Sequence, residues 1–274
     1  RAGELSVELS AGVVFRLLTY IPGRSHKVMT AELARPSGRL VGRFHAALLD
    51  LPHRFHFVRA GAHDLAGHLT KLRLAVAAAQ QADFIPPEAA VPTEFFTLAK
   101  SLIAHGETLP QKLEQPLRLC HGDLKLNNLR FDEHGAGVCL LDLDTLAYLP
   151  LAFELGDALR SWCNPRGEDV SDADFELGLF EEALSGYAES ASAFVSPDEA
   201  RSILYGVERI TFQLAVRFAV DVVRQSYFRW DPARYENRAL HNLTRASGQW
   251  GLCRSIVAAR PRAEAALARV FHLR

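Results

Sequence analysis

Hydrophobic and polar positions change rhythm along this chain, and the changes mark out its elements. Near the start, Leu5, Val7 and Leu9 alternate with polar neighbours, and a longer apolar run at 13–21 follows Ser10-Ala11-Gly12. That pattern predicts two strands joined by a turn and closed off by Pro22-Gly23. Beyond this point the period is helical, with one interruption. Leu40, Val41, Phe44 and Leu48 predict a helix over 37–49; Leu65, Leu69, Leu72 and Val76 predict another behind Asp64, a good N-cap. Pro92-Thr93 opens a third, ending at Gly106. Residues 153–162 and the series Phe175, Leu179, Ala183, Tyr187 give two more. Ser196-Pro197-Asp198-Glu199 has the form of a capping box and heads a run to about Ser226. Two last helices are expected at 237–257 and 263–271.

The interruption is the stretch 117–145. Apolar runs at 128–131 and 138–141 flank Asp132-Glu133-His134-Gly135, which predicts a β-hairpin, and Leu117–Cys120 leads into it. Polar residues crowd the strand junctions: His121, Asp123, Lys125, Asn128, Asp142 and Asp144. A few strands, one central hairpin and helices elsewhere make the chain α+β with a mainly helical large lobe.

Composition narrows the function classes. A chain of 274 residues suffices for one large domain or two modest ones. With 31 basic and 32 acidic residues, net charge −1, it has no general attraction for nucleic acid or anionic membrane. The arginines at 254, 260, 262, 269 and 274 make a basic C-terminus that reads as a solvated helix face. Cys120, Cys139, Cys163 and Cys253 form no CxxC pair, so a reducing, cytoplasmic compartment is expected, without disulfides or a zinc site. No apolar run approaches the roughly 18 residues that span a bilayer, and no signal peptide is visible. The chain opens at Arg1 and its one methionine is Met29, so further residues are expected upstream.

Within the central stretch, Asp123 can orient a substrate hydroxyl and accept its proton. Asn128 and Asp142 supply hard oxygens suited to Mg²⁺, and Lys125 can offset the charge of a transferred phosphoryl group. Other candidates read as packing. His45 sits on a helix beside apolar residues, and His53, His56, His63 and His68 lack convergent metal-ligand spacing. Tyr227, Phe228 and Trp230 fit a core better than a sugar-pocket wall. Cys163-Asn164-Pro165-Arg166 approaches a sulfatase nucleophile pattern, but its arginine stands one residue early.

His121-Gly122-Asp123, Lys125 and Asn128, followed past the hairpin by Asp142 and Asp144, resemble the protein-kinase catalytic loop and its metal-binding aspartate. The HGD form is closer to the aminoglycoside phosphotransferase and choline kinase family. KLNN, VCLLDLDT, FELGDALRSW and SYF…HNLTRA are similar to bacterial sugar kinases of the N-acetylhexosamine 1-kinase type. The resemblance runs from about Val13 to the C-terminus. It implies a protein-kinase-like fold: residues 1–22 as a truncated N-terminal nucleotide-binding lobe plus hinge, residues 23–274 as a helical catalytic and substrate lobe. It also implies ATP- and Mg²⁺-dependent transfer of the γ-phosphoryl group to a small-molecule hydroxyl, on a sugar or amino sugar. Asp123 matches the base and Asn128 and Asp142 the Mg²⁺ ligands, with Asp144 a second acid near the metal. His121 matches a residue supporting the loop, and Asp157 one that braces it through its backbone. Backbone groups of Thr19, Tyr20 and Ile21 match the hinge that holds the nucleotide base.

One departure stands out. The family's phosphate-covering loop and strand lysine belong upstream of the hinge, and none of Lys27, Lys71, Lys100, Lys112 and Lys125 lies there. That motivates an alternative, a non-catalytic kinase-like binding module. An aminoglycoside or choline-type acceptor also stays open, because the segment 168–182 is rich in acid. Oligomeric state is open too.

Overall fold

A computed structural model of the chain describes residues 6–9, 12–57, 61–81, 91–110 and 112–273. The expected contributions of Leu5 and of the Ser10-Ala11 turn lie outside the described residues. Strands β1 (Val7–Leu9) and β2 (Val13–Phe15) pair antiparallel, Val7 opposite Phe15. The apolar run continues to Ile21, but the strand stops at Phe15. This two-stranded ribbon has little to pack on: Phe15, Leu17, Leu18 and Tyr20 are exposed, Leu17 at 98%.

The helical body comprises α1 (Ala31–Ala47), α2 (Leu65–Gln81), α3 (Glu94–Gly106), α4 (Leu151–Trp162), α5 (Leu177–Ala191), α6 (Pro197–Arg224) and α7 (Arg238–Val270). Two boundaries differ from the sequence reading, and proline is involved in both. Helix α1 starts six residues earlier than 37 and passes through Pro36. The early turn is worth keeping because it buries Leu33 and Ala34, and Ser37 Oγ donates to the Leu33 carbonyl at 2.8 Å. Helix α7 runs unbroken through Pro261, where two helices were expected. Ala263, Ala266 and Leu267 beyond the proline are buried in the core, and that packing outweighs the roughly 3 kcal/mol an interior proline costs.

The ends of α6 are fixed by side chains. Ser196 and Glu199 form the reciprocal capping box, and the Glu199 carboxylate also takes two hydrogen bonds from Arg118, at 2.6 and 2.8 Å. At the other end the Asp221 carboxylate accepts from the backbone N–H of Ser226, Tyr227 and Phe228. Long α6 separates two cores. One gathers α1, α4, α5, the hairpin and the end of α7; the other gathers α2, α3 and the first half of α7 against α6. Helices α4 and α6 touch backbone to backbone: a Cβ on Gly206 would stand 1.8 Å from the Ala152 carbonyl oxygen, so no other residue fits. This contact sets the height of α4, which carries several residues of the candidate site.

Strands β4 (Leu129–Phe131) and β5 (Gly137–Leu140) form the expected hairpin, Leu129 opposite Leu140, with the Asp132 carboxylate accepting from His134 N and Ala136 N in the turn. Strand β3 (Leu117–Cys120) does not join it. It pairs antiparallel with β6 (Ala147–Pro150), a strand the sequence reading missed. Proline at the end of β6 and its four-residue length hid it, whereas the partner strand supplies the pairing that defines it.

Candidate active site

Between β3 and β4 the chain makes the loop 121–128, and between β5 and β6 it makes 141–146. The two loops lie side by side, stitched by side chains and backbone. His121 Nε2 is 2.8 Å from the Leu141 carbonyl oxygen, so Nε2 carries the proton and Nδ1 accepts from Asp123 N at 3.3 Å. Thr145 Oγ1 donates to the His121 carbonyl at 2.8 Å. Leu141 N donates to the Asn128 carbonyl at 2.7 Å. Gly122 turns at φ +82°, and a Cβ there would come within 2.4 Å of the Thr145 carbonyl oxygen. Glycine is thus required twice over, by its backbone angle and by the neighbouring loop.

Helix α4 holds the first loop from below, through a residue other than the one expected. Glu154, 1% exposed, accepts from His121 N at 2.7 Å and from Gly122 N at 2.9 Å. Its Oε1 also meets His45 Nε2 at 3.3 Å, and His45 Nδ1 meets the Tyr187 hydroxyl at 3.0 Å. Burial pushes the Glu154 carboxyl up, but His45 and the two loop N–H groups outweigh it and hold the group below the ordinary range. Asp157, the expected brace, instead bonds Arg160 at 2.9 Å. It stands one turn further along the same helix; burial, then the Asp123 and Glu168 charges, push its carboxyl up despite Arg160. Trp162 completes the support, donating from Nε1 to the buried Leu124 carbonyl at 2.8 Å.

On this base sit the predicted site residues. Asp123 Oδ2 receives Lys125 Nζ at 2.6 Å and Asn128 Nδ2 at 3.1 Å. Asn128 Nδ2 also donates to the Asp123 carbonyl at 2.8 Å, which leaves Oδ1 as the outward face of the amide. Lys125 lies among three carboxylates. Burial works against its charge, but Asp123, then Asp142 and Asp157, hold it above the ordinary lysine range. Asp142 adopts the left-handed conformation, φ 63° and ψ 59°, and no described residue donates a hydrogen bond to its carboxylate. A non-glycine residue in that region is held there by its surroundings, here the pinned Leu141 before it. Asn128 Oδ1 and an unpartnered, exposed carboxylate on Asp142 are a donor set that suits a hard divalent cation such as Mg²⁺.

Asp144 goes elsewhere: its Oδ1 bonds Arg16 at 2.8 Å, tying the site to the segment after β2. Thr19, Tyr20 and Ile21 form that segment's end. Ile21 offers its carbonyl to Arg130 Nε at 3.0 Å, and Arg130 also bonds the Tyr20 hydroxyl and stacks on its ring. Arg24 then pairs with Phe131 through both backbone groups, so this segment is docked along the outside of the hairpin.

The remaining candidates separate from the site. His63 lies against Phe153, His53 against Phe55, and His68 bonds the Ala62 carbonyl, so these histidines do not converge. Tyr227 and Phe228 pack on each other under Arg217, with Phe228 against Phe218. Sequence reasoning missed Glu154 and Trp162. A glutamate among the apolar residues of LAFELGDAL was the available signal, since a charge on a buried helix face must have partners.

The model of the phosphotransferase enzyme family, APH, matches residues 2–190. The chain belongs to this family. Its fold is shared with solved structures of low sequence identity. An ethanolamine kinase from Plasmodium vivax superposes with TM-score 0.56 at 12% identity, covering 89% of this chain and 67% of that one. A choline kinase from Cryptosporidium parvum gives 0.52 at 11% identity, covering 96% and 76%. An aminoglycoside phosphotransferase from Alicyclobacillus acidocaldarius gives 0.54 at 15%, covering 95% and 75%. The protein-kinase-like α+β fold, with a mainly helical large lobe and a small β portion, is therefore that of the aminoglycoside phosphotransferase and choline kinase-like proteins. The family's members are small-molecule phosphotransferases, and no helix among the described residues is long and apolar enough to cross a membrane.

Proposed function

We propose that this protein transfers the γ-phosphoryl group of ATP to a hydroxyl of a sugar or amino sugar, with Mg²⁺ as cofactor. The observation that carries the reading is the meeting of Lys125 and Asn128 on Asp123 Oδ2, above a loop whose backbone is clamped by Glu154. Asp123 orients the acceptor hydroxyl and takes its proton as the new P–O bond forms. Lys125 stands close enough to swing from Asp123 to the transferred group and offset its charge. Asn128 Oδ1 and the Asp142 carboxylate would hold Mg²⁺, which supplies charge neutralisation at the phosphates when bound. Asp144 serves as a second acid near the metal once released from Arg16. Thr19, Tyr20 and Ile21 would offer backbone groups to the nucleotide base, with residues 1–22 as lobe remnant and hinge and 23–274 as the catalytic lobe.

A neutral hydroxylated acceptor is favoured over a polycationic one by the fate of the acidic segment. Glu168 is paired with Arg160, Asp169 with Arg245 and His241, Asp172 with Arg166, Glu181 with Arg269 and Glu182 with Arg35. The chain's own cations thus pair most of this segment's acid and leave Asp174 and Glu176 without a basic partner among the described residues, less free acid than a polycationic aminoglycoside would need.

The test is a product screen of sugars, amino sugars, aminoglycosides and choline with Mg·ATP, read by phosphorus NMR. Sugar phosphorylation that disappears in Asp123→Asn and Asp142→Asn, both still folded by circular dichroism, is expected. Turnover confined to aminoglycosides or choline sinks the acceptor, and wild-type turnover by Asp142→Asn sinks the metal assignment. The second reading, a non-catalytic module, draws on the ion pairs that already satisfy Lys125 and Asp144. Calorimetry with Mg·ATP separates the two: an absence of nucleotide binding favours the module.

A further inference from the structure

Among the described residues, two groups of histidine, cysteine and glutamate bring their ligating atoms within 4.8 Å of one another. The first, His45, Cys120 and Glu154, is already spent. Both Glu154 oxygens hold the loop backbone, His45 Nδ1 holds Tyr187, and all three residues are buried.

The second group differs in keeping one ligand partly exposed and one Glu208 oxygen turned to the cluster. His105 ends α3, Glu208 lies in the middle of α6 and Cys253 in the middle of α7, so three helices contribute one ligand each. His105 Nε2 is 3.3 Å from Glu208 Oε1 and 3.9 Å from Cys253 Sγ. Zinc bonds of about 2.0–2.3 Å in a tetrahedron put nitrogen and oxygen ligands about 3.3 Å apart, and nitrogen and sulfur about 3.6 Å apart. The first edge already has this length, and the second needs the sulfur to close in by about 0.3 Å. Sγ has only a weak contact of its own, with the Glu208 carbonyl at 3.9 Å.

The surroundings hold the ligands in place. Arg260 bonds the other oxygen of Glu208, which fixes the carboxylate so that Oε1 alone faces the cluster. The His105 ring is wedged between Phe212 and Trp250, with centroids at 5.0 and 5.1 Å, and the His105 carbonyl is anchored by Glu107 N, Thr108 N and Thr108 Oγ1. The His105 side chain remains 22% exposed, leaving one side of the cluster open to water, which can supply a fourth ligand. Mixed imidazole, thiolate and carboxylate donors suit a borderline-soft divalent ion rather than Mg²⁺.

We propose that His105, Glu208 and Cys253 form a zinc site that staples α3 to α6 and α7, separate from the candidate active site. The ligands stand 103 and 45 residues apart with no motif spacing, so no zinc site was expected from the sequence. Binding replaces the Cys253 thiol proton, which leaves for solvent, by a sulfur–zinc bond.

The test uses Co²⁺ as a spectroscopic probe of the full chain, with Zn²⁺ as competitor. One equivalent of Co²⁺ should give a thiolate-to-cobalt charge-transfer band that Zn²⁺ abolishes. Cys253→Ser should remove the band, and His105→Gln should weaken affinity about 100-fold or more. If a substitution prevents folding, pulsed alkylation of the wild-type chain read by peptide mass spectrometry assigns the ligand: Zn²⁺ should slow labelling of Cys253 and leave Cys139 unchanged. A wild-type chain without the band, a band that survives Cys253→Ser, or Zn²⁺ protection that falls on Cys120 instead overturns the proposal.

Discussion

Replacing Glu154 by glutamine changes one oxygen into an NH₂ group at the point where α4 holds the catalytic-type loop. The native carboxylate accepts from His121 N, Gly122 N and His45 Nε2 at 2.7, 2.9 and 3.3 Å. A glutamine oxygen can keep one loop N–H, but its NH₂ then faces the other, donor against donor. One bond to a charged group is weakened and one buried N–H is orphaned, at a combined cost of about 2–4 kcal/mol. For a chain of this size that lowers the melting temperature by about 5–15 °C. Asp123 is the next residue after Gly122, so a shift of the loop by about 1 Å should also cut phosphoryl transfer about 100-fold.

A pH series adds an independent check. The Glu154 carboxyl is held below its ordinary 4.5, so its stabilisation is complete above about pH 4.5 and is lost as pH falls through the lower folded value. The wild-type chain should show this acid loss in urea unfolding, and Glu154→Gln should lack it. A Glu154→Gln protein within about 0.5 kcal/mol of wild type, with unchanged turnover, would falsify the clamp.

Three further outcomes follow from the same geometry. Gly122→Ala forces a Cβ against the Thr145 carbonyl at positive φ, and should cost about 1–3 kcal/mol together with most of the activity; a neutral effect in urea unfolding means the loop is free to rearrange. Trp162→Phe keeps the packing but orphans the buried Leu124 carbonyl, at about 1–3 kcal/mol; a melting temperature equal to wild type contradicts that. Burial, then Arg209 and Arg217, lower the His63 imidazole from 6.5 to about 4, so the unfolded chain takes up a proton that the folded chain refuses. Stability carried by His63 is full above about pH 6.5 and falls toward pH 4, and His63→Gln should flatten that slope; urea midpoints across the range that keep the wild-type slope would remove His63 from the account.

The sequence by itself determined every element whose signal is local. Apolar periodicity and the Ser196 capping box placed α6 almost to the residue, because a capping box satisfies orphan N–H groups without help from afar. The hairpin followed from two short apolar runs around a turn, and Asp123, Lys125 and Asn128 were legible because their spacing lies within one loop. What tertiary structure alone decided are matters of partnership across long separations. Strand β6 exists because β3 pairs with it, 29 residues away where Leu119 and Tyr148 stand opposite each other. Pro36 and Pro261 are tolerated inside helices because buried neighbours repay the lost hydrogen bond. Glu154 rather than Asp157 braces the loop because the Gly156–Gly206 approach sets α4 at a height where only the earlier residue reaches His121 N and Gly122 N. Asp144 meets Arg16, and His105 meets Glu208 and Cys253, for the same reason: charge and ligand chemistry are written residue by residue, but which groups converge is fixed only when the cores close.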